Sequence, residues 1–333
     1  MCWSWTNRHR PRVELGDDDG SRELMSEEPA IPVILDVDTG IDDALAIALA
    51  VRSPKLDLLG ITTVAGNVPL EVATGNTLRV LAWLGADHVP VHPGMSGPLV
   101  RPLETATDIH GVDGLGGFVL PESAAVIQAP SGPEFIVQQA RANPGTITLI
   151  CTAPLTNLAV ALSLEPELPR LIRRVVVMGG AFTVAGNVTP VAEFNAYVDP
   201  EAAVIVARSA LPLTFIGLDV THQVGLMREA WSALAELRDN GGRLVYEMLG
   251  QTFSQVENDV FYLHDPLAVA VAAEPELVET ERWAVMVGRH EPLIGQTLLV
   301  HNPSLTRHEI ALRVNSTTFL RMFAELLGLP LFQ

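Results

Sequence analysis

The chain has 333 residues, 48% of them hydrophobic, and a formal charge of −18 from 21 basic and 39 acidic side chains. That length can bury a large core, while that charge argues against nucleic acid or an anionic membrane as the main partner, because both recruit basic surface. The two cysteines, Cys2 and Cys151, lie too far apart in character and position for a disulfide framework, which suits a reducing compartment and predicts a cytoplasmic protein.

No apolar run reaches the ~18–20 residues that a membrane span needs. Residues 1–30 lack the apolar centre of a secretory signal and read as a disordered leader, with Met25 an alternative start. Patterned sequence begins at Ile31, and residues 31–333 read as one catalytic domain. The stretch 31–51 (IPVILDVDTGIDDALAIALAV) runs from a β-branched strand into an Ala/Leu/Ile helix. Between them stand four carboxylates, Asp36, Asp38, Asp42 and Asp43, around Gly40. An acid at a helix start is ordinarily a cap. That explains one or two of these residues, not four, two of them at the end of a buried strand. Crowded buried carboxylates repel and lose hydration, so a hard divalent cation with oxygen ligands, Ca²⁺ or Mg²⁺, accounts for the set better.

Further strands are expected at 56–64, 89–92, 146–150, 174–178 and 213–218, and helices at 70–84, 132–142, 155–164 and 199–209, where Asp199 is the N-cap and Pro200 the first helical residue. This alternation predicts an α/β fold: an open, mostly parallel sheet flanked by helices, Rossmann-like in plan. Helices at 228–237, 243–256, 267–273 and 316–327 and strands at 283–288, 297–300 and 309–313 complete the chain. The polar clusters follow strand ends, at Asp36–Asp43, Asn67, Thr152, Met178 and Asp219. In open α/β sheets ligands bind outside the carboxyl ends of the strands, so these clusters are expected to converge. The Gly/Pro-rich segment 93–121 is too long for a plain connection. Its DIHGVDGLGG (residues 108–117) has the wrong spacing for a dinucleotide fingerprint and reads as a lid, with His110 in reach of a bound base.

Several motifs, DVDTGIDDA, TTVAGN, HGVDGLG, TAPLTNLA, VVVMGGA, GNVTPVAEFN, DPEAA and HDP, occur in this order over most of residues 31–266. In them the chain resembles the nucleoside hydrolases, the inosine/uridine-preferring nucleoside N-ribohydrolases. The resemblance implies hydrolysis of ribonucleosides to ribose and free base by a homodimer or homotetramer that uses Ca²⁺. It implies Asp38, Asp43, Asp265 and the backbone carbonyl of Thr152 as metal ligands, with ribose hydroxyls and one water completing the shell. Asp38 would be the general base for that water, and His264 the general acid toward the leaving base. Asp42 and Asn67 would hold the ribose 2′-hydroxyl, Asn195 and Asp265 the 3′-hydroxyl, and Asn187, Glu193 and Met178 the 5′ end, with Asp36 supporting the loop from behind. Two positions depart from the family pattern: Thr39 stands where proline is usual, freeing that turn or adding a hydroxyl hydrogen bond, and Ala153 where glycine is common.

Two other readings compete. The DVDTG stretch also resembles the nucleophile loop of haloacid-dehalogenase-type Mg²⁺ phosphatases, with Asp36 as nucleophile, but the only lysine, Lys55, directly follows the first helix rather than lying downstream. A non-catalytic nucleoside- or ribose-binding homologue is the other, since fold does not fix function. The presence of both Asp38 and His264 argues against it. Base selection is expected to rest on the 108–117 loop and on residues 252–263, which include Phe253, Phe261 and Tyr262.

Overall fold

A computed structural model describes residues 29–255 and 259–330. The expected leader, all but its last two residues, lies outside the described residues. In chain order the strands are β1 (Ile31–Val37), β2 (Leu56–Thr63), β3 (Val91–Pro93), β4 (Thr148–Cys151), β5 (Arg174–Met178), β6 (Leu213–Ile216), β7 (Gly225–Met227), β8 (Val260–Tyr262), β9 (Val278–Val287), β10 (Thr297–Val300) and β11 (Arg307–Val314). Among the described residues nine of them form one sheet in the order β10-β9-β11-β6-β5-β4-β1-β2-β3. From β3 to β11 every neighbouring pair is parallel, and only β9 runs against the rest, pairing antiparallel with β11 on one side and β10 on the other. The expected open, mostly parallel sheet is therefore present.

Helices cover both faces because the strand side chains alternate between two cores. In β1, Val33, Leu35 and Val37 join one hydrophobic cluster and Ile34 the other. In β5, Val176 and Met178 face the first cluster, and Val175 and Val177 the second. The first cluster holds helices Ile41–Arg52, His264–Ala273 and Ser316–Leu327, and the second holds Gly132–Ala142, Thr156–Leu164 and Pro200–Arg208. Asp199 caps the last of these through its carboxylate and the Ala202 N–H, with Pro200 in the first turn, as its sequence requires.

The chain builds β1, β2 and β3 in one direction, then crosses back to place β4 on the other side of β1. Cys151 of β4 lies beside Asp36 of β1 in that pairing. This reversal is the topological switch point, where a crevice opens at the carboxyl ends of the strands. Asp36–Asp43 and Thr152 leave the two strands bordering it, and Asn67 follows β2, the next strand beyond β1.

The chain departs from its pattern mainly around residues 222–263. The helix expected over 228–237 stops at Ser232, and β7 pairs with β8 as a separate antiparallel ribbon. Short strands of three residues carry too little alternation to stand out in sequence. No helix among the described residues is long and apolar enough to cross a membrane.

Candidate active site

Two buried helices bring the acids together. Helix Ile41–Arg52 is buried along its first ten residues and packs against helix His264–Ala273, itself buried from Asp265 onward. Asp42 and Asp43 lie in the first turn of one, and Asp265 in the first turn of the other. One carboxylate oxygen from each of the three falls within 4.8 Å of the others. The positive ends of both helix dipoles therefore point at the same group of acids, which offsets part of their repulsion.

Asp38 borders this trio and is fixed by the turn after β2. Its Oδ2 accepts the Asn67 backbone N–H at 2.6 Å and its Oδ1 accepts Asn67 Nδ2 at 3.1 Å. The same Nδ2 reaches Asp43 Oδ2 at 3.1 Å, so Asn67 ties the two acids together. Glycine is required at position 66, since a Cβ there would lie 2.0 Å from Asp38 Oδ2. Asp43 also accepts the Gly40 N–H at 2.9 Å and the Thr152 hydroxyl at 2.8 Å. Thr39 adds the hydroxyl hydrogen bond expected of its departure from proline, pairing with Thr77 at 2.6 Å in the core.

Asp36 sits below this layer. It faces the other side of the sheet, where Oδ1 accepts from Thr62 Oγ1 and from Asn157 Nδ2 at 2.7 Å, while Oδ2 is buried without a partner. An acid so enclosed cannot approach a phosphoryl group, which removes the structural basis of the phosphatase reading. Asn157 and Thr62 both belong to motifs visible in the sequence, but nothing there signals that they hold Asp36.

Beyond Thr152 lies a rim of amides. Asn195 Nδ2 donates to the Thr152 carbonyl at 2.8 Å and to the Met178 carbonyl at 3.3 Å. Glu193 caps the short helix Phe194–Val198, its carboxylate accepting the backbone N–H groups of Asn195, Ala196 and Gly180. Asn187 is exposed on the preceding loop, its Oδ1 taking the Phe194 N–H at 3.0 Å.

Opposite this rim is a group of aromatic rings. His264 is half-buried, with its ring centroid 5.6 Å from His222 and 5.9 Å from Tyr262, and its Nδ1 is 2.8 Å from Thr221 Oγ1. His110, in the expected lid, is buried, and its Nδ1 accepts the Ile41 N–H at 3.1 Å, so the 108–117 loop is docked on the start of the first helix. Asn76 Nδ2 pins the same loop, reaching both the Thr39 and Asp113 carbonyls. Phe253, expected near the base, is instead a core residue against Trp231, while Tyr262 stands beside His222 and His264.

Burial dominates the electrostatics. It raises the Asp36 carboxyl to about 7 and Asp42 to about 6, and pushes Asp38, Asp43 and Asp265 upward as well, the neighbouring acids adding to the effect on these three. Burial also lowers His110 to about 4 and His264 to about 3, the latter with help from His222 and His110. Both rings are thus neutral near pH 7.

Four of these raised carboxyls, Asp38, Asp42, Asp43 and Asp265, form a site that gains from a cation. The donors are hard oxygens, Asp42 Oδ1 is buried with no hydrogen-bond partner, and the trio's spacing suits a shared ion. Oxygens around one Ca²⁺ lie at about 2.3–2.6 Å from it and hence within about 5 Å of one another. The residues present fit a divalent metal. The tightest trio includes Asp42, expected at the sugar, while Asp38, expected as a ligand, joins through Asp43.

A mostly parallel sheet with buried acids and a metal-fitting cluster at its switch point, flanked by histidines, is the arrangement that the resemblance to the nucleoside hydrolases implies. The chain belongs to the inosine-uridine preferring nucleoside hydrolase family, whose model matches residues 33–321. It is 42% identical over 277 residues, covering 81% of this chain and 88% of the relative, to a pyrimidine-specific ribonucleoside hydrolase of Citrobacter koseri. Among solved structures it is similar to a plant nucleoside hydrolase, with TM-score 0.86 and 33% identity over 91% of this chain and all of that one. A purine-preferring ribonucleoside hydrolase from Gardnerella vaginalis gives TM-score 0.84 and 34% identity over 89% and 98%. The protein is an enzyme that hydrolyses the N-glycosidic bond of ribonucleosides; neither the phosphatase nor the binding-protein reading is favoured.

Proposed function

We propose that hydrolysis is carried out by the crevice between β1 and β4, with Asp38 as general base and His264 as the catalytic hydrogen-bond donor facing the departing base. The meeting of two acid-bearing helix starts beneath that crevice carries this reading. Ca²⁺ is the proposed metal, held by Asp38, Asp43, Asp265 and the Thr152 carbonyl, with Asp42 close by. When bound, such an ion offsets the acids' charge and makes an adjacent water a stronger acid.

The chain's own groups account for the rest. Asp42 and Asn67 hold the ribose 2′-hydroxyl, Asn195 and Asp265 the 3′-hydroxyl, and Asn187, Glu193 and the Met178 region the 5′ end. Asp36 keeps the β1 loop in shape. The C1′–N bond breaks with its electron pair leaving on the base, and the positive charge that develops on the sugar is stabilised by the surrounding carboxylates. Water supplies the oxygen that joins C1′ and yields its proton to Asp38, whose pinning by Asn67 fixes its orientation. His264 meets the departing base with a ring N–H, a role a neutral imidazole can fill, and His110 lies close enough to influence it electrostatically.

Asp38→Ala tests the mechanism. Turnover should fall by at least the ~10²–10⁴-fold typical of a general base, and normal hydrolysis would remove Asp38 from that role. Purine and pyrimidine ribonucleosides belong side by side in the assay, because the similar proteins differ in their named preference. A homodimer or homotetramer in the cytoplasm completes the proposal. Family resemblance supports the assembly and a free, buried Cys151 suits the compartment. Light scattering on the purified protein reads the assembly.

A further inference from the structure

Thr221 ends the short turn Leu218–Thr221 that follows β6, and its side chain is fully buried. Its hydroxyl lies 2.8 Å from His264 Nδ1, and among the described residues this is its one hydrogen-bond partner. The neighbouring backbone does not compete, since Thr221 uses its own N–H, not its hydroxyl, to reach the Gly217 carbonyl. A hydroxyl has one proton to give, and a buried donor left without an acceptor is destabilising.

Two arrangements of this pair are possible. If His264 carries its proton on Nδ1, the ring donates to Thr221 and the threonine proton has no acceptor. If Nδ1 carries the lone pair, Thr221 donates to it and both groups are satisfied. The second arrangement puts the imidazole proton on Nε2, the nitrogen with no partner among the described residues, on the half-buried side chain.

We propose that Thr221 is a positioning residue that holds His264 as the neutral Nε2–H tautomer, so that Nε2 donates a hydrogen bond to the leaving base. This rests on the reading of His264 as the group facing that base. No proton need leave the ring: the bond strengthens as negative charge gathers on the departing base, and solvent protonates the base afterwards. A tautomer held in advance needs no reorganisation during the reaction, the source of most electrostatic catalysis. His222 and Tyr262, packed at 4.8 Å from each other and against the same ring, limit its rotation about that hydrogen bond.

The test compares Thr221→Val, which keeps shape and removes the hydroxyl, with Thr221→Ser, which keeps the hydroxyl. Each is assayed on uridine, on inosine and on p-nitrophenyl riboside, whose leaving group needs no hydrogen bond. Thr221→Val should lower kcat on the nucleosides about 10–100-fold with little change in KM, a fraction of the full ~10²–10⁴-fold of such catalysis. It should leave the aryl riboside within about twofold of the parent, and Thr221→Ser should recover most of the lost rate. Nitrogen-15 shifts of His264 in the unsubstituted enzyme, assigned by their loss in His264→Ala, should show Nδ1 bare and Nε2 protonated. A proton on Nδ1 overturns the proposal, even where Thr221→Val fails to fold. Unchanged nucleoside turnover in Thr221→Val also overturns it, while a selective loss in His264→Ala leaves the parent reading standing. Equal losses by His264→Ala on all three substrates instead defeat the parent reading.

Discussion

Asp42 and Asp265 meet carboxyl to carboxyl, although each opens a different buried helix and one follows the other by most of the chain's length. Burial raises both, and their mutual charge raises Asp265 further. A folded protein that keeps such a pair stores a preference for a cation at that point.

That preference predicts strong stabilisation by Ca²⁺. At a concentration 100 times its dissociation constant, an ion that binds only the folded state adds about 2.7 kcal/mol. Thermal unfolding of the chelated protein should shift upward on adding Ca²⁺, and Asp43→Ala should lose most of that shift. An Asp43→Ala protein that responds like the parent would take Asp43 out of the metal site.

Gly66→Ala tests how Asp38 is positioned. The added Cβ would lie 2.0 Å from Asp38 Oδ2 and 2.7 Å from Pro154 Cδ, so the carboxylate must move. Misplacement by about 1 Å can cost ~10²-fold in rate, and a loss of at least about tenfold in kcat is expected. Circular dichroism should show the fold retained. Full activity would mean that the Asn67–Asp38 arrangement is not needed for turnover.

Two histidines outside the acid cluster should each contribute a loss of stability on acidification below about pH 6.5. His92, stacked on Phe135, and His308, bound to the Ala207 carbonyl, are both held below their ordinary value of 6.5 by burial. A depressed histidine stays neutral in the fold while the unfolded chain takes up a proton, so unfolding gains as pH drops through the unfolded value. The difference in urea midpoint between the parent and a His92→Gln, His308→Gln double variant should shift against the parent as pH falls from 7.5 to 5, because the buried acids act alike in both proteins. A difference that does not change with pH would take these two histidines out of the effect.

The acid turn, the order of the strands and the polar groups at their ends were legible because each rests on local pattern. Asp36–Asp43 interrupt two apolar runs, and Asn67 and Thr152 follow strand ends. The contacts that give these residues their geometry were not legible, because they join distant segments. Nothing near Asn157 signals that it holds Asp36, nor near Thr221 that its hydroxyl meets His264. Phe253 misleads for a related reason: an aromatic residue suits a base or a core equally, and Trp231 decides for the core. Glu193 looked like a sugar ligand, yet three backbone amides already occupy its carboxylate, so any 5′ contact must share it. Thr39 was the opposite case, since the hydroxyl that replaces a usual proline finds a partner in Thr77.

The most direct measurement is ribose release from a panel of purine and pyrimidine ribonucleosides, with and without chelator and with and without phosphate. Free ribose should form without phosphate, stop when the metal is removed and return on adding Ca²⁺. Release that persists in chelator, or product that appears only with phosphate, would contradict a metal-assisted hydrolase at the Asp38–Asp265 crevice.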